Sequence, residues 1–401
     1  MGEKTVFIII GGGVIGLSTA YHLAKMNTGK VILLEKEVIG DGASSRAGGI
    51  ITDLLWSRTG VEARKISLTL FGELSEELAD YGYRFQNVGC LNLFEAQDWP
   101  EREKLLSLYD QCRVPYEILT ARDINQRWPD LTPADHILGL YDPLGGYSEP
   151  HDYLPALTRR CHELGVDIRE GVQVTGIEVG NGRSPTISTT MGSFTADCLI
   201  CTVHTWTAHL LAAQGWPLPM KAFVHQRYVT TPLPAPLHIP AVNANPQGGY
   251  LRPADGNRIL AGIETAERSE FITPSPNFRM SELATPLGLA EQLRHNLLPL
   301  LSCLGETQWQ SEHVGLIAFS LDGEPLLGHL PDMPDVILGT AFHSGGFAYN
   351  PVAGLLLAEL ATGRTTSVDI STFAPDRFSP QVVSDYLATT VVQKEAVRRR
   401  H

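Results

Sequence analysis

Apolar residues along this chain gather into short runs of strand length and into stretches with helical spacing, parted by glycine and proline. Val6 to Ile10 is a continuous apolar run, the pattern of a strand buried on both faces. A glycine-rich turn from Gly11 to Gly16 follows. Residues 14 to 26 then predict a helix with Gly16, Thr19 and Ala20 along one side. Val31 to Leu34 is a second buried-strand run and ends at Glu35. Residues 40 to 60, rich in Gly, Ser and Ala, read as an extended loop or a helix start. Leu68, Phe71, Leu74 and Leu78 predict a helix over 61 to 82.

After Tyr83 the texture changes to short segments with turn signals, at Gly89 to Phe94 and then around Pro115, Pro129, Pro133 and Pro143. This marks a different unit through about residue 145. Leu154, Leu157, Cys161 and Leu164 predict a helix over 151 to 165, with Gly165 past its end. A β region follows in Val172 to Val174, Ile177 to Val179, Ile187 to Thr190 and Cys198 to Val203. Tyr250 to Arg252 and Arg258 to Ala261 predict a hairpin turning at Asp255–Gly256. Residues 281 to 301 are helical in pattern, and Val336 to Leu338 is a strand. The last helix is expected over about 351 to 362, with Asn350 as N-cap, Pro351 at its first position and Gly363 beyond it. There is no internal repeat. The basic tail Arg398 to His401 reads as a frayed end.

The 401 residues are 43% hydrophobic and 19% charged, the proportions of a globular protein with a large core. Lysine plus arginine is 31 against 44 aspartate plus glutamate, a net charge of −13. That balance argues against nucleic acid as partner and leaves room for a local anion pocket. No apolar run reaches the roughly 18 residues of a membrane span. The start shows no long basic region and no cleavage-like site. Six cysteines make no disulfide framework in a chain this long. Together these features predict a cytoplasmic protein with reduced core cysteines.

Gly11, Gly13 and Gly16 form a G-x-G-x-x-G between an apolar strand and a helix, with Glu35 at the end of the next strand. Gly11 allows the tight turn, Gly13 the approach of a pyrophosphate, and Gly16 close packing of helix on strand. The helix start at Val14 and Ile15 offers free N–H groups and a positive dipole end to an anion. Glu35 is suited to ribose hydroxyls and disfavours a 2′-phosphate. The motif alone leaves NAD and FAD open.

Further motifs narrow the choice. Ala43 to Ile50 follows Glu35; Leu321 to Gly328, Gly339 to Phe347 and Asn350 to Leu360 lie near the C-terminus. In this order they resemble the D-amino-acid-oxidase-like FAD oxidoreductases, nearest the glycine oxidase, sarcosine oxidase and dimethylglycine dehydrogenase branch. The resemblance covers nearly the whole chain. It implies an α/β fold, α+β overall, with a Rossmann-type FAD-binding domain at 1–88, 146–220 and 315–401. A mixed-sheet substrate domain would occupy 89–145 and 221–314. FAD would be bound non-covalently. Besides the first glycines and Glu35, the implied cofactor contacts are Lys36, Ser44, Ser45, Arg46, Ala47, Gly48, Gly49, Val174, Gly345, Gly346 and Phe347.

The implied reaction oxidises a C–N bond, with hydride passing to flavin N5 and the imine hydrolysed by water. The substrate is expected to be a small amine or amino acid, and the electron acceptor oxygen or another species. Two other readings stand beside this one: a flavin subunit of a heteromeric dehydrogenase, and a tailoring enzyme acting on an unusual amine. An oligomer or a partner subunit is compatible with all three. Several family positions differ here. Val314 to Ile317 carries no following Arg, Ala348 stands where sarcosine oxidases have a Lys, and Leu260 matches their oxygen-activating Lys. Tyr250 matches a pocket tyrosine of glycine oxidases, and Arg252, His343 and Tyr349 are the further candidates for the substrate site. Arg58 and Trp56 are weaker ones, and His204 replaces a small residue. Cys198 and Cys201 form a C-x-x-C within a strand, where alternation separates them; no metal is expected.

Overall fold

The computed structural model describes residues 5–180 and 183–396, so the Arg398 to His401 tail lies outside the described residues. The first apolar run forms the strand Thr5–Ile10 inside a six-stranded sheet. The order is Leu326–Leu330, Met333–Thr340, Cys198–Cys201, Thr5–Ile10, Gly29–Leu34 and Asp167–Arg169. Neighbours run parallel except at Leu326–Leu330, which returns antiparallel at the edge. Phe7, Ile9, Val31, Leu33, Cys198 and Ile200 pack with residues of the helices Val14–Met26 and Gly346–Ala361. Ile8, Ile10, Ile32, Leu34, Leu199 and Cys201 pack on the other face, with Ile177 and Ile187 of a three-stranded sheet. Burial on both faces is why these strands read as unbroken apolar runs. It also puts Cys198 and Cys201 on opposite faces, where burial pushes each thiol up to about 12.

A second, eight-stranded sheet runs Trp309–Ser320, Met220–Thr230, Arg258–Ile263, Gly249–Ala254, Ala241–Ala244, Cys90–Glu95, Ile137–Asp142 and Glu117–Thr120. Its neighbours are antiparallel except Ala241–Ala244 beside Cys90–Glu95. The hairpin turning at Asp255–Gly256 forms with Ala254 opposite Arg258. The long strands Met220–Thr230 and Trp309–Ser320 run through the expected seams at 220 and 315.

Three helices differ from the sequence pattern. The second begins at Arg58, because Ser57 caps it by accepting a hydrogen bond from the Gly60 N–H at 3.0 Å. The 281 to 301 pattern yields only the helix Leu289–Leu297, which falls between Pro286 and Pro299. The last helix starts at Gly346, so Asn350 is not its N-cap and Pro351 lies inside it. Asn350 explains how. Its Nδ2 donates to the Phe347 carbonyl at 2.6 Å, the acceptor left over by the proline's missing N–H. Gly354 then lets this helix cross the first: a Cβ there would lie 2.4 Å from Ser18 Oγ.

Candidate active site

The glycine motif takes the geometry its spacing predicts. Gly11 is left-handed, with φ 106°, and a Cβ on Gly16 would sit 1.9 Å from the Gly11 carbonyl oxygen. The Val14 N–H donates to Ser44 Oγ at 3.0 Å, which ties the loop after Glu35 to the helix start. Glu35 accepts hydrogen bonds from the Gly12 and Glu37 N–H groups at 2.7 and 2.9 Å. Burial nonetheless raises its carboxyl above the ordinary value. Lys36 is held between the Phe278 carbonyl at 2.5 Å and the Trp206 ring, 4.0 Å from its centroid.

Two cavities meet here. The smaller, about 100 Å³, is lined by Gly11, Gly13, Glu35, Lys36 and Val174. The larger, about 420 Å³, is lined by Val14, Ile15, Ser44, Arg46 to Ile50, Tyr250 and His343 to Phe347. Ala43, Thr202 and His204 line both and join them. His204, Ala341 and His343 are left-handed non-glycine residues, and all three line the larger cavity. Strain of this kind concentrates where a ligand is gripped.

The residues present fit an FAD. The smaller cavity offers the glycine turn, the helix start and a carboxylate for an adenosine diphosphate. The larger offers bare backbone at Gly48, Gly49, Gly345 and Gly346 for a flat ring. A Cβ on Gly48 would lie 2.8 Å from the Tyr250 ring, so that stretch has no room for a side chain. His204 Nδ1, at the junction, is buried without a hydrogen-bond partner. Burial pulls this imidazole down to about 4, so it is neutral at physiological pH. Arg46 is anchored by the Asp41 and Gly42 carbonyls, and the Ser45 carbonyl accepts from Arg227 at 2.9 Å.

The candidate substrate residues separate. Tyr250 and His343 line the larger cavity; Arg252 and Tyr349 do not. Arg252 is fully buried, in a two-pronged pair with Glu149 at 2.7 and 2.9 Å, and donates to the Gly48 carbonyl. Its charge is taken up by Glu149. Tyr349 is buried behind the Gly345–Gly346 turn, 5.7 Å in ring centroids from His343. Arg58 pairs with Glu62 and Gln111 at the surface, and Trp56 packs against the His343 ring at 5.2 Å. Neither lines the cavity. Leu260 is buried in the eight-stranded sheet and Ala348 in the last helix. His151, Asp152 and Asp255 bring ligand atoms within 4.8 Å of one another near the surface, away from both cavities.

Two residues that the sequence did not single out line the larger cavity. His225 Nε2 lies 3.1 Å from the Tyr250 hydroxyl, and the rings stack at 5.7 Å. Burial pulls His225 down to about 4 and pushes the Tyr250 hydroxyl up to about 12. Arg64, on the Arg58–Glu77 helix, is 3% exposed, and its guanidinium lies over the Tyr349 ring at 4.8 Å. Its Nη1 reaches the Gly345 carbonyl at 3.4 Å, and its Nε is buried without a partner. His225 sits on an alternating strand and Arg64 among other charges on an amphipathic helix. Neither spacing carries a signal.

The FAD dependent oxidoreductase family model matches residues 7–360, and the chain belongs to that family. Among the proteins it is similar to are enzymes named for oxidising sarcosine and glycine. It is 26% identical to mitochondrial sarcosine dehydrogenase of Mus musculus over 92% of this chain and 41% of that protein. The chain thus spans well under half of that relative's length. It is 28% identical to sarcosine oxidase subunit beta of Arthrobacter sp, over 92% of this chain and 90% of the subunit. The crystal structure of glycine oxidase from Geobacillus kaustophilus aligns at TM-score 0.82 and 25% identity, over 93% and 98% of the two chains. Among the described residues no helix is long and apolar enough to cross a membrane.

Proposed function

We propose that this chain oxidises the C–N bond of a small amino acid or secondary amine held against a non-covalently bound flavin. FAD, when bound, supplies the two-electron acceptor that takes hydride from the carbon beside nitrogen. The observation that carries the reading is the larger cavity. It runs from the bare backbone of Gly48, Gly49, Gly345 and Gly346 to the Tyr250–His225 pair. The smaller cavity, with Glu35 and Val174, takes the adenosine end. In the same reading the FAD-binding unit comprises 1–88, 146–220 and 315–401, and the substrate unit 89–145 and 221–314.

The protein's own groups orient the substrate and keep its nitrogen uncharged. His225 is neutral at physiological pH, and in the tautomer with its proton on Nδ1 its Nε2 accepts the Tyr250 proton. The Tyr250 oxygen then presents its remaining lone pair to a substrate N–H. No positive charge from this pair opposes the amine, and hydride loss needs the nitrogen lone pair. His343, on the left-handed turn before Gly345, also lines this cavity. Five of the six cysteines are buried thiols, which supports a reducing, cytoplasmic setting.

A screen of D- and L-amino acids and N-methylated amines against the purified yellow protein, without oxygen, tests this. Bleaching of the flavin by at least one such compound is expected. A flavin that none of them reduces overturns it. Peroxide release on readmitting oxygen separates an oxidase from a second reading, a flavin subunit handing electrons to a partner. The likeness to sarcosine oxidase subunit beta over 90% of its length favours keeping that reading.

A further inference from the structure

One wall of the larger cavity comes from beyond residue 360, where the family match ends. Gln393 lines the cavity there, with Asn245, Glu264, Thr265 and Phe319. The segment that carries Gln393 is built onto the loop after the strand Arg258–Ile263. The Glu270 N–H donates to the Val391 carbonyl at 3.0 Å. The Gln393 and Lys394 N–H groups donate to the Arg268 and Ala266 carbonyls at 2.8 and 2.9 Å. Ser269 and Val392 form an antiparallel bridge. Lys394 pairs with Glu267 at 2.7 Å, and the buried Lys221 donates to the Thr389 carbonyl at 2.6 Å. Val391 and Ala396 pack with Phe223 and Phe319. Gln393 is thus pinned from both sides in sequence, as a residue that meets a ligand has to be.

Gln393 and Thr265 are both buried, and the Thr265 hydroxyl donates to Gln393 Oε1. That bond sets the direction of the carboxamide. Its Nε2 makes no hydrogen bond to the protein among the described residues. An amide that keeps its donors unspent in a buried place costs free energy until a partner arrives. Glu264, exposed on the same wall, adds a carboxylate. Its N–H donates to the Gly248 carbonyl at 2.8 Å, and the Gly248 N–H donates to the Asn245 carbonyl at 3.0 Å, so Asn245 belongs to the same patch. A hydroxyl or a primary carboxamide can accept from Gln393 and donate to Glu264. An alkyl group leaves the amide unpaired, and a carboxylate meets Glu264 with like charge. Gly262 lies opposite Tyr250 in the sheet, and Thr265 follows three residues later, at most about 10 Å along an extended chain. One small molecule can therefore reach both Tyr250 and Gln393.

We propose that Gln393 is a specificity-determining residue: it binds a hydroxyl or carboxamide that the amine carries apart from its oxidised C–N bond. This rests on the reading under Proposed function and narrows it to amines with a neutral polar side chain. Tyr250 meets the nitrogen, and the patch of Gln393, Thr265 and Glu264 meets the side chain. Glycine, sarcosine and amines with bare alkyl chains leave that patch unfilled.

The test ranks amino acids that differ in the side-chain end: norvaline, homoserine, glutamine, glutamate and ornithine, each as D and L forms. Half-saturation is read on the FAD-loaded protein without oxygen, from flavin bleaching or, where nothing bleaches, from the shift in flavin absorbance. Glutamine or homoserine is expected to half-saturate at least about tenfold below norvaline and glutamate, the size of one hydrogen bond left unmade. Gln393→Leu is expected to erase that advantage with flavin still bound. Gln393→Glu keeps the side chain's size and the acceptor for Thr265 but turns the donor into a negative charge, and ornithine should then overtake glutamine. A merely structural Gln393 would leave the native ranking in that variant. Native protein that binds norvaline as well as glutamine and homoserine overturns the proposal without any variant. So does a Gln393→Leu protein that keeps the advantage. If Gln393→Leu loosens FAD while the ranking stays, the residue serves the cofactor and the proposal falls. The expected ranking with a flavin that nothing bleaches would uphold the Gln393 contact and overturn the amine-oxidation reading alone.

Discussion

The hydroxyl of Tyr250 meets Nε2 of His225 at 3.1 Å across a strand that has no side chain between them. The residue opposite Tyr250 in the sheet is Gly262, which also lies opposite Arg227. A Cβ on Gly262 would sit 2.1 Å from the Tyr250 ring and one on Gly48 would sit 2.8 Å from it. The ring is therefore clamped between two bare stretches of backbone, and only there can it span two strands to reach His225.

Gly262→Ala should move the ring without removing any polar group. A displacement near 1 Å costs a positioned reaction on the order of 100-fold. The expected result is a loss of kcat/KM of about that size, with flavin content unchanged. Tyr250→Phe should lose a similar factor. A Gly262→Ala enzyme with native turnover would show that the placement of this ring does not matter.

Arg252, in the strand Gly249–Ala254, and Glu149, just before the helix Pro150–Glu163, pair with both prongs buried. Burial alone would raise the Glu149 carboxyl, but the guanidinium outweighs it and holds the group below its ordinary value. Breaking one side leaves an uncompensated buried charge. Arg252→Met or Glu149→Gln should each cost about 3–5 kcal/mol of stability. The double variant should lose less than the sum, as read by chemical denaturation. An Arg252→Met protein of native stability that no longer holds substrate would assign Arg252 to the substrate instead.

Asp53 makes stability fall as pH rises. Its folded carboxyl sits at about 8 against an ordinary value of 3.8. Between those values the unfolded chain has released a proton that the folded one keeps, so each step up in pH favours unfolding. The slope ends once the folded group ionises. Melting temperature should decline from pH 5 to about 8 in the native protein, and less steeply in Asp53→Asn. Asp142 and Glu35 are also raised by burial and slope the same way, so the difference between the two proteins is the informative quantity. Parallel curves would show that Asp53 is ionised in the folded state at neutral pH.

What could be read from the sequence was local. The strand at Thr5–Ile10, the glycine turn and the hairpin at Asp255–Gly256 depend on residues a few positions apart, and they form where the pattern put them. The start of the last helix was missed because Asn350 and Pro351 imitate a helix start. Only the bond from Asn350 to the Phe347 carbonyl shows that the helix is already under way. Arg252 alternates to the same strand face as Tyr250, and that spacing makes it a candidate for the substrate cation. Its partner Glu149 lies about a hundred residues away in sequence, and no spacing rule connects them. Arg64, buried in the wall of the larger cavity, is illegible in the sequence for the opposite reason. A charge on a helix reads as solvated until tertiary packing shows it to be buried.

The glycine turn gives the most direct test of the cofactor cradle. A Cβ at Gly16 would lie 1.9 Å from the Gly11 carbonyl oxygen, which is backbone and cannot rotate away. Gly16→Ala must therefore lift the helix start from the strand and withdraw the N–H groups from the pyrophosphate. Gly72→Ala is the matched control: it lies in the Arg58–Glu77 helix with nothing within 4 Å of its Cβ. There alanine should raise helix stability by about 1 kcal/mol. Purified Gly16→Ala should contain little flavin, and added FAD should raise its melting temperature less than it raises that of native apoprotein. Gly72→Ala should retain its flavin. If Gly16→Ala kept native flavin content, the close approach of helix to strand would not be what holds the pyrophosphate.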